Sequence, residues 1–454
     1  MKVVNVPINK GSMPDWNKRF GDPTLINMFC GMNGNLYCTP GLKLISDIKN
    51  IRAIKLTAFN GGQIIVVTRD RVLRVALDGS ISTSITIAFS GAQVQITENL
   101  VNQVGIADGK FGYVLDQNLN IITKLTPLDN NFAVVSPISV VVLDSYMIWL
   151  GANGIWQISV ANQAVQYDPE GLQKIDSTLS EAKTLALNDN NIFIFGSTGI
   201  ERWVPTLNTN IYFFPFQKDT NFNKDFGAIS SNSVVSAIDK IYFMSSRFIP
   251  MYIDAQGVVE LPMSKEVSGI AKIISQYEDL EQCVASFYSF RGNYFYHITF
   301  AKQGVSWVYN QKSNTITNST DLVLSSAQND EIVATSDGLF QLSIEQDYRK
   351  RTFITERMTL DNGQSTTRNL LNGIEIKLVE GYAQPIEPQE IELSLSLDSD
   401  SWLNVIKVPI GKTGARNNLY IQRTNVSFQH EVSIKIEYHG NYNLAIEKLT
   451  LTIN

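Results

Sequence analysis

Seven short hairpins recur over the first three quarters of the chain, and they constrain the fold more than any other feature of the sequence. Each hairpin consists of an apolar strand, a small polar turn and a second apolar strand. The apolar pattern has a period of two, and Val, Ile, Phe and Tyr are abundant, as is typical of β-strands. The hairpins occupy residues 63–77, 103–116, 146–160, 191–205, 240–254, 293–310 and 330–344.

Three of the hairpin turns recur at a regular spacing. Gly109, Gly154 and Gly199 take the same place in successive turns, at intervals of 45 residues. Glycine suits such turns because a positive φ angle costs it no steric strain. A repeat of about 40–50 residues with two or more strands per unit is typical of propeller blades. The sequence therefore predicts an all-β fold built on a β-propeller of six or seven blades.

The hairpin strands are also rich in large aromatic residues. Trp149, Trp156, Trp203 and Trp307 all lie in them. Because such side chains bury a large apolar area, we expect these four to pack between neighbouring blades.

The last hundred residues differ from this repeat. After Ile344 a charged segment, residues 345–357, ends the hairpin pattern, and the later strands are longer and alternate Ile or Leu with charged residues. One apolar and one polar face per strand indicate a small antiparallel sandwich. We expect a propeller-like repeat domain over residues 1–345, whose N-terminal segment closes the propeller or packs on it. Residues 346–454 are expected to form a C-terminal, β-sandwich-like antiparallel domain.

A single helical pattern interrupts the strands. Val267, Ile270, Ile274 and Tyr277 fall at helical spacing within residues 265–282. A glycine inside this segment weakens the helix by about 1 kcal/mol relative to alanine. We predict one short helix there, on a connection between two blades.

Composition narrows the classes of function. The 454 residues are 44% hydrophobic and 18% charged, with a net charge of −6, and this acidic balance argues against tight, sequence-independent binding to nucleic acid. Apolar runs such as 138–143 are too short to span a membrane, and polar residues from Asn5 onward interrupt any signal peptide, so we expect neither insertion nor export by that route. Cys30, Cys38 and Cys283 lack motif spacing and are expected to be small buried hydrophobic residues.

The residues that most often carry chemistry do not form a recognisable site. His297, His430 and His439 lack the partners and spacing of a zinc site, and the sequence has no P-loop, nucleophile elbow or C-x-x-C motif. Segment 396–402, SLDSDSW, comes nearest to a sialidase-type Asp box, but its glycine and tryptophan positions differ. We interpret it as a strand, a turn and a strand assisted by the Asp398 side chain. The sequence predicts no catalytic residue, no metal and no cofactor, and hence a non-enzymatic interaction or structural protein.

The N-terminal segment carries a family resemblance. In residues 21–45 the strand Leu25-Ile26-Asn27 leads through a short insertion to Tyr37-Cys38-Thr39-Pro40-Gly41-Leu42. This order resembles the (L/V)xN and (Y/F)xxPGL segments that open the packaged-DNA stabilisation proteins, or tail accessory factors, of short-tailed double-stranded DNA phages. FIFGSTGIERW (193–203) and residues 293–314 are similar to later hairpins of that family. The C-terminal NGIEIKLVEG and LSLSLDSDSW are similar to its last strands, although Ser399 replaces a glycine.

The resemblance implies a subunit of a phage tail nozzle. In that family six copies form a homohexameric ring below the portal and its adaptor, continue the DNA channel, retain the packaged genome until ejection and anchor tail fibres, tailspikes or a plugging needle. Double-stranded DNA passes through the lumen without sequence-specific binding, and nothing inserts into a membrane. The implied location is the virion tail, after synthesis in the cytoplasm of the host bacterium, and assembly on the portal and adaptor implies a monomer in free solution.

Two other functions remain open at this point. A propeller-type tail protein could bind or hydrolyse glycans, which for hydrolysis requires two carboxylates about 5–9.5 Å apart in a pocket. A propeller could also be a generic binding scaffold in a cellular complex.

Overall fold

The computed structural model describes most of the chain as β-strands. The described residues are 2–8, 10–12, 22–57, 62–89, 94–127, 131–206, 214–261, 269–320, 322, 324, 326–328, 331–344, 349–359, 368–379, 389–398, 401–410, 418–441 and 443–454. Their strands form a propeller and a two-sheet sandwich. The predicted all-β class, with a propeller, is therefore confirmed.

The propeller is built from four-stranded antiparallel blades. Six of them are separate sheets, and a seventh is the inner part of a ten-stranded sheet. Blade one contains β6 (Ala53–Leu56), β7 (Ile64–Val67), β8 (Arg71–Val75) and β9 (Ile81–Thr86), and blade two contains β10 (Gln95–Glu98), β11 (Val104–Ala107), β12 (Gly112–Leu115) and β13 (Ile121–Leu125). Blade three contains β14 (Pro137–Leu143), β15 (Tyr146–Gly151), β16 (Ile155–Val160) and β17 (Gln163–Lys174). Blade four contains β18 (Ala182–Asn188), β19 (Asn191–Gly196), β20 (Ile200–Pro205) and β21 (Phe216–Lys224). Blade five contains β22 (Val234–Ser236), β23 (Ile241–Met244), β24 (Pro250–Asp254) and β25 (Gly257–Glu260); blade six contains β26 (Val284–Phe290), β27 (Asn293–Phe300), β28 (Val305–Asn310) and β29 (Thr315–Ser319); blade seven contains β30 (Ser326–Gln328), β31 (Ile332–Thr335), β32 (Gly338–Ser343) and the distant strand β5 (Gly41–Ser46). In every blade the second and third strands are one of the seven predicted hairpins.

The blades close into a ring. The innermost strands β6, β10, β14, β18, β22, β26 and β30 contact one another in that order, and β30 contacts β6. Blade seven is completed by β5, which pairs antiparallel with β32 so that Leu42 lies opposite Leu342. A strand from the N-terminal part of the chain thus closes the propeller.

Packing between blades explains the apolar hairpins. All four residues of β7 are fully buried. Ile65 and Val67 pack against blade two, whereas Ile64 and Val66 pack against blade seven. A strand covered on both faces gains from apolar residues at every position, which is why the central strands read as continuous apolar runs.

The four tryptophans lie between blades, as predicted. Trp149 is buried in a cluster formed by blades two and three. Trp156 and Trp203 share the core between blades three and four, with ring centroids 5.0 Å apart. Trp307 is buried in the cluster formed by blades five and six.

Two of the three repeating glycines have the predicted backbone conformation. Gly109 and Gly154 have φ angles of 84° and 74°. Gly199 lies outside the left-handed region, because the turn before it is made by Ser197 and Thr198 and β20 begins directly after it.

The sandwich combines strands from both ends of the chain. Its strands are β1 (Lys2–Val6), β2 (Thr24–Ile26), β3 (Met28–Cys30), β4 (Leu36–Cys38), β33 (Lys350–Ile354), β34 (Met358–Thr359), β35 (Asn369–Leu378), β36 (Gln389–Leu397), β37 (Leu403–Ile410), β38 (Asn418–Phe428), β39 (Glu431–His439) and β40 (Ala445–Ile453). One sheet has the order β3-β4-β40-β35-β38, with β1 also paired to β40. The other continues from blade six as β29-β2-β33-β39-β36-β37, with β34 also paired to β39. Propeller and sandwich therefore share one continuous ten-stranded sheet.

The N-terminal segment does more than pack on the propeller. Only β5 closes a blade, and β2 bridges β29 of blade six to β33 of the sandwich. β1 and β4 pair instead with β40, and β3 pairs with β4. Pairing between distant segments leaves no trace in local periodicity, so the sequence could not reveal it. The division of the chain at residue 345 stays a prediction.

The predicted helix is present but short. The α-helix α1 (Ile270–Ser275) lies on the connection between blades five and six, and Gly269, with a φ of 63°, precedes it. Residues 265–268, the first part of the predicted segment, lie outside the described residues. Short 3₁₀ helices span Ser177–Leu179, Ser231–Ser233, Leu280–Gln282 and Ala301–Gln303. No helix in the described ranges is long and apolar enough to cross a membrane.

Candidate interaction surfaces

Asn27 lies where the propeller and the sandwich meet, directly after β2. Its buried side chain donates a hydrogen bond to the Lys350 carbonyl at 2.8 Å and another to the Thr320 hydroxyl at 3.2 Å, and it accepts one from the Ser319 hydroxyl at 3.1 Å. Its φ angle of 56° is left-handed, a conformation that asparagine tolerates better than most residues. The asparagine of the (L/V)xN segment is therefore a structural residue that joins the two units.

Buried arginines reinforce this junction. Arg351 is fully buried, and its Nη1 donates to the carbonyl oxygens of Arg349 and Gly440 at 2.8 and 2.7 Å. Arg349 in turn donates to the carbonyl of Pro40, just before the closing strand β5. Hydrogen bonds of this kind offset the cost of burying a guanidinium group. The Pro40-Gly41-Leu42 segment is thereby held to the sandwich as well as to blade seven.

Glu201, in the FIFGSTGIERW segment, is a buried carboxylate between blades three and four. It accepts hydrogen bonds from the Lys218 ammonium at 2.6 Å, from the Trp203 indole at 3.1 Å and from the backbone N–H of Asp176 at 2.9 Å. Three donors to one carboxylate compensate for its removal from water. This residue joins two blades, and its role is structural.

Polar side chains link the innermost strands of blades two, three and four. The Ser139 hydroxyl donates to Oε1 of Gln95 at 2.6 Å, and Nε2 of Gln95 donates to Oγ1 of Thr184 at 2.8 Å. The backbone N–H of Leu185 donates to the same Ser139 oxygen at 2.9 Å. These bonds cross from blade to blade around the propeller axis, so part of the hub is held by a hydrogen-bonded belt.

Charged residues lie between blades one and two, where Arg74 is buried and Lys55 and Glu98 are half-buried. Lys55 and Arg74 each stand beside Ile65 in the register of blade one, and they share its face toward blade two. Burial lowers the pKa of Lys55, and Glu98 of blade two partly offsets this shift. Burial also raises the pKa of Glu98, opposed by Lys55 and Arg74. The opposite charges attract each other across the blade interface.

The outermost strand of each blade presents an edge, and six of the seven outermost strands are covered by another strand or carry charged residues. β29 is covered by β2, and β17 is distorted near Asp168, Pro169 and Glu170. β5, β13, β21 and β25 each carry at least one charged residue. Covering, bulges, proline and charge are the devices that prevent a sheet edge from pairing with another chain.

β9 is uncovered, uncharged and without proline, although a bulge interrupts its pairing with β8 opposite Arg74 and Val75. Its sequence, ISTSIT, contains only Ile, Ser and Thr, and among the described strands it pairs only with β8. Ser82, Ser84 and Thr86 are exposed along it. An exposed, uncharged, β-branched edge is suited to pairing with a strand of another chain. The absence of charge from this one outer strand was visible in the sequence, but its significance depends on knowing which strand is outermost.

Apolar side chains are exposed on the same side of the propeller. They belong to the outer strands and turns of three consecutive blades, seven, one and two, and we refer to them as the outer arc. The residues of the outer arc are Leu44, Leu77, Ile81, Ile121 and Ile122. The backbone of Gly79, with a φ of 87°, lies against the Ile45 carbonyl, so blades seven and one touch within the arc.

A second exposed apolar row lies on the sandwich. Leu403 and Val405 project from β37, the last strand of the ten-stranded sheet. Lys407 and Pro409 follow on the same strand, and they protect this edge against strand addition. The row is therefore better suited to side-chain packing than to strand pairing.

The residues considered for chemistry lie apart. His297 is fully buried in blade six, where burial lowers its pKa to about 3, partly offset by the Leu322 backbone. His430 and His439 are exposed near opposite ends of β39. Within the described ranges, no group of three or more His, Cys, Asp or Glu residues is arranged to hold a metal ion. All three cysteines are buried and unbridged.

The aspartates act in turns. Asp108 accepts hydrogen bonds from the backbone N–H groups of Lys110 and Phe111 at 2.8 and 2.5 Å. Asp398 serves the neighbouring turn before β39, because it accepts bonds from the backbone N–H groups of His430 and Glu431 at 2.7 and 2.8 Å. Residues 399 and 400 of its Asp-box-like segment lie outside the described residues.

One cavity brings two carboxylates together. It has a volume of about 350 Å³ and is lined by Asp168, Glu170, Tyr146 and Phe214 on the rim of blades three and four. Both carboxylate residues are exposed, and the Asp168 side chain accepts a hydrogen bond from the backbone N–H of Glu170 at 2.9 Å. This carboxylate forms a turn on an outer strand, far along the blade from the hub where propeller glycosidases place their acids.

The fold and these contacts define a structural β-propeller protein whose motif residues hold its parts together. The chain matches the family described as bacteriophage P22 Gp10, beta-propeller, over residues 4–334. It therefore belongs to this phage stabilisation family, and it is a structural, DNA-stabilising tail protein of a bacteriophage.

Solved structures resemble the chain only loosely. Virginiamycin B lyase from Staphylococcus aureus matches with a TM-score of 0.44 and 11% identity over 65% of this chain and 95% of its own. A streptogramin B lyase matches with a TM-score of 0.44 and 9% identity over 67% and 98%. The computationally designed Ika8 protein matches with a TM-score of 0.43 and 10% identity over 66% and 99%. Similarity at this level carries no information about function, and no curated protein sequence matches the chain.

Proposed function

We propose that this chain is the subunit of a homohexameric tail nozzle that continues the channel of the portal and adaptor and retains packaged DNA. The ring anchors tail fibres, tailspikes or a plugging needle. The observation that carries the proposal is the outer arc with its uncovered and uncharged strand β9, on a body in which propeller and sandwich share one sheet. A rigid body with such an exposed edge is suited to repeated contact with identical neighbours.

A closed ring of identical subunits requires two different contact surfaces on each copy. The outer arc is one such surface, and the apolar row of β37 is a second, on a different unit of the same rigid body. We place the contacts between neighbours on these two surfaces.

The net charge of −6 supports the proposed passage of DNA. An acidic subunit attracts the phosphate backbone weakly, so the lumen would not retain the genome by adhesion during ejection. Retention in this proposal comes from the ring and its plug.

Electron cryomicroscopy of virions that carry this chain tests the proposal directly. The expected result is a six-fold ring of this subunit between the adaptor and the tail tip. Density for the chain confined to a peripheral fibre would overturn the nozzle function and favour a glycan-directed protein.

The contact surface is tested by a pair of variants. Ser84→Lys places a charge on the exposed edge of β9, and Thr220→Lys places one on β21, which already carries Lys218 and Asp219. We expect Ser84→Lys to reduce ring assembly on virions strongly while Thr220→Lys assembles normally. If both variants assemble as well as the original chain, the outer arc is not the contact, whether or not a ring is present.

A further inference from the structure

The cavity on the rim of blades three and four has a lining that fits one class of ligand. Its volume is about 350 Å³, within the range of pockets that bind small ligands and side chains. Aromatic and aliphatic side chains line it together with two carboxylates, and none of its lining residues is basic. We refer to this cavity as the rim pocket, and the lining residues used below are Tyr146, Ile158, Ala161, Asp168, Glu170 and Phe214.

The apolar wall of the rim pocket belongs to a packed aromatic cluster. The Phe214 ring lies against Trp156 with centroids 5.3 Å apart and against Phe216 at 6.1 Å. Tyr146 packs edge-on against Phe216 at 6.4 Å. Tyr146 and Phe214 are only half-buried, so each packs on the core between blades three and four and still borders the pocket. This wall is held in place by packing and offers aromatic surface to a ligand.

The acidic wall is a bulge in β17. One residue separates Gln157 from Ser159 on β16, but four residues, 168–171, separate their partners on β17. The Asp168 carboxylate accepts a hydrogen bond from the backbone N–H of Glu170 at 2.9 Å, and the Asp168 carbonyl accepts one from Nε2 of Gln157 at 3.3 Å. These bonds hold the bulge, and with it both carboxylates, at the side of the pocket.

The two carboxylates keep their negative charge available. Asp168 and Glu170 are exposed, and neither forms an ion pair within the described part of the chain. A carboxylate offers about four lone-pair sites, and the turn uses one of those on Asp168. The pocket therefore combines negative charge with aromatic and aliphatic surface.

We propose that the rim pocket binds an arginine side chain from an extended segment of a partner polypeptide. The guanidinium pairs with the carboxylates of Asp168 and Glu170. Its planar face packs on the rings of Tyr146 and Phe214, and its aliphatic stem packs on Ile158. Arginine is suited to this role because its planar fork matches a carboxylate and its face stacks on aromatic rings. Charge complementarity selects this occupant, since a neutral apolar side chain would take water from the carboxylates and give them no partner.

The rim pocket is separate from the surfaces proposed for ring contacts. It lies on blades three and four, whereas the outer arc lies on blades seven, one and two, and the second apolar row lies on β37. Binding at the rim pocket does not depend on ring formation, so it can be tested on the free subunit.

The probes are two blocked tripeptides, acetyl-Leu-Arg-Leu-amide and acetyl-Leu-citrulline-Leu-amide. Citrulline has nearly the shape of arginine but carries no charge. Ligand-observed NMR titration at low ionic strength, where exposed charges are screened least, measures their affinities for the full chain. We expect the arginine peptide to bind at least about fivefold more tightly than the citrulline peptide, a factor that corresponds to about 1 kcal/mol, the scale of a well-placed exposed ion pair.

A pair of double variants assigns the binding to the pocket. Asp168→Asn with Glu170→Gln removes both carboxylates but keeps an oxygen that can accept the turn hydrogen bond, and we expect the preference for arginine to be lost. The matched control, Asp254→Asn with Glu281→Gln, removes the same number of charges elsewhere. Asp254 also accepts a backbone hydrogen bond from two residues ahead, Gln256, at 2.8 Å, and Glu281 is exposed. The control should keep the preference of the unchanged protein.

A further variant leaves the carboxylates unchanged. Ala161 is exposed in a turn and lines the pocket, and Ala161→Lys places a positive charge there. We expect it to weaken binding of the arginine peptide by at least about threefold, because the lysine repels the guanidinium and competes for the carboxylates.

Three results would overturn the proposal. They are equal affinity for the two peptides, no measurable binding of either one, and equal loss of preference in the pocket double variant and its control. If thermal unfolding shows that the pocket double variant is misfolded, Ala161→Lys decides the question, and unchanged binding of the arginine peptide by that variant would also overturn it.

Discussion

The side-chain amide of Asn27 donates a hydrogen bond to the backbone carbonyl of Lys350 at 2.8 Å. Asn27 follows the strand that is hydrogen-bonded to blade six on one side, and Lys350 begins the strand on its other side. This hydrogen bond therefore joins the end of β2, which pairs with blade six, to the start of β33, which is a strand of the sandwich.

Two substitutions of Asn27 should separate what its side chain and its backbone conformation each contribute to the free energy of unfolding. Loss of its buried side-chain hydrogen bonds should lower the free energy of unfolding by about 2–3 kcal/mol in Asn27→Gly. Asn27→Ala should lower the free energy of unfolding by about 1 kcal/mol more than Asn27→Gly does, because alanine is strained at a φ of 56°. Urea unfolding measures both values. Stability of Asn27→Gly equal to that of the unchanged chain would contradict the assigned role of the side chain.

Glu201→Gln should weaken the contact between blades three and four. The amide keeps the shape of the carboxylate but loses its charge, and its NH₂ group then faces a donor, either Lys218 or the Trp203 indole. We expect a loss of about 2 kcal/mol in the free energy of unfolding, the scale of a hydrogen bond to a charged group. Arg247→Gln, at an exposed ion pair with Asp225, is the control and should change stability by less than about 1 kcal/mol. A Glu201→Gln loss no larger than the control would argue against a structural carboxylate.

His297 should make the fold sensitive to acid. Burial keeps it neutral in the folded chain down to about pH 3, whereas the unfolded chain binds a proton near pH 6.5. Below pH 6.5 the unfolded state therefore holds more protons, and this group should remove about 1.4 kcal/mol of stability per pH unit until about pH 3.

The His297 contribution appears as a difference between variants. The free energy of unfolding of His297→Gln, measured by urea denaturation from pH 7 to pH 4, should fall less steeply than that of the unchanged chain. His430→Gln, at an exposed position, should keep the original slope. Parallel curves for the unchanged chain and His297→Gln would exclude a buried neutral histidine.

The three thiols should be inert in the folded protein. Burial raises the pKa of Cys30 to about 11 and that of Cys283 to about 12, and it also raises the pKa of Cys38. Because the thiolate is the reactive form, Ellman's reagent at pH 8 should label no thiol in the native chain and all three in guanidinium chloride. Rapid labelling of one thiol under native conditions would show that its part of the fold opens.

The local pattern of apolar residues predicted the blades, but it could not predict which distant segments of the chain pair with each other. Every hairpin, from Ile64–Val75 to Ile332–Ser343, was visible because its two strands are adjacent in sequence and buried on both faces. The pairing of Leu42 with Leu342 joins segments with no shared pattern, as does the parallel pairing of Ile26 with Asn318. The family resemblance pointed to Asn27 and Pro40 as distinctive, but only the three-dimensional contacts give them a structural reason.

The candidate surfaces were predictable to a smaller extent. The composition of Ile81–Thr86 was plain in the sequence, yet nothing local says that this strand is outermost and uncovered. A cavity between the β3–β4 hairpin and the β26–β27 turn brings Arg291 and Tyr37 together from distant parts of the chain, which no spacing rule anticipates.

Closure of blade seven by β5 has a consequence for synthesis on the ribosome. Residues 41–46 emerge early, but their partner β32 ends only at Ser343. At about 5–20 residues per second, the early strand waits roughly 15–60 s for its partner. During that interval the nascent propeller is an open, incomplete array with unsatisfied strand edges at both ends. The chain is therefore most exposed to aggregation and to host chaperones while it is still being translated, and it gains its full cooperativity only when the last blade is complete.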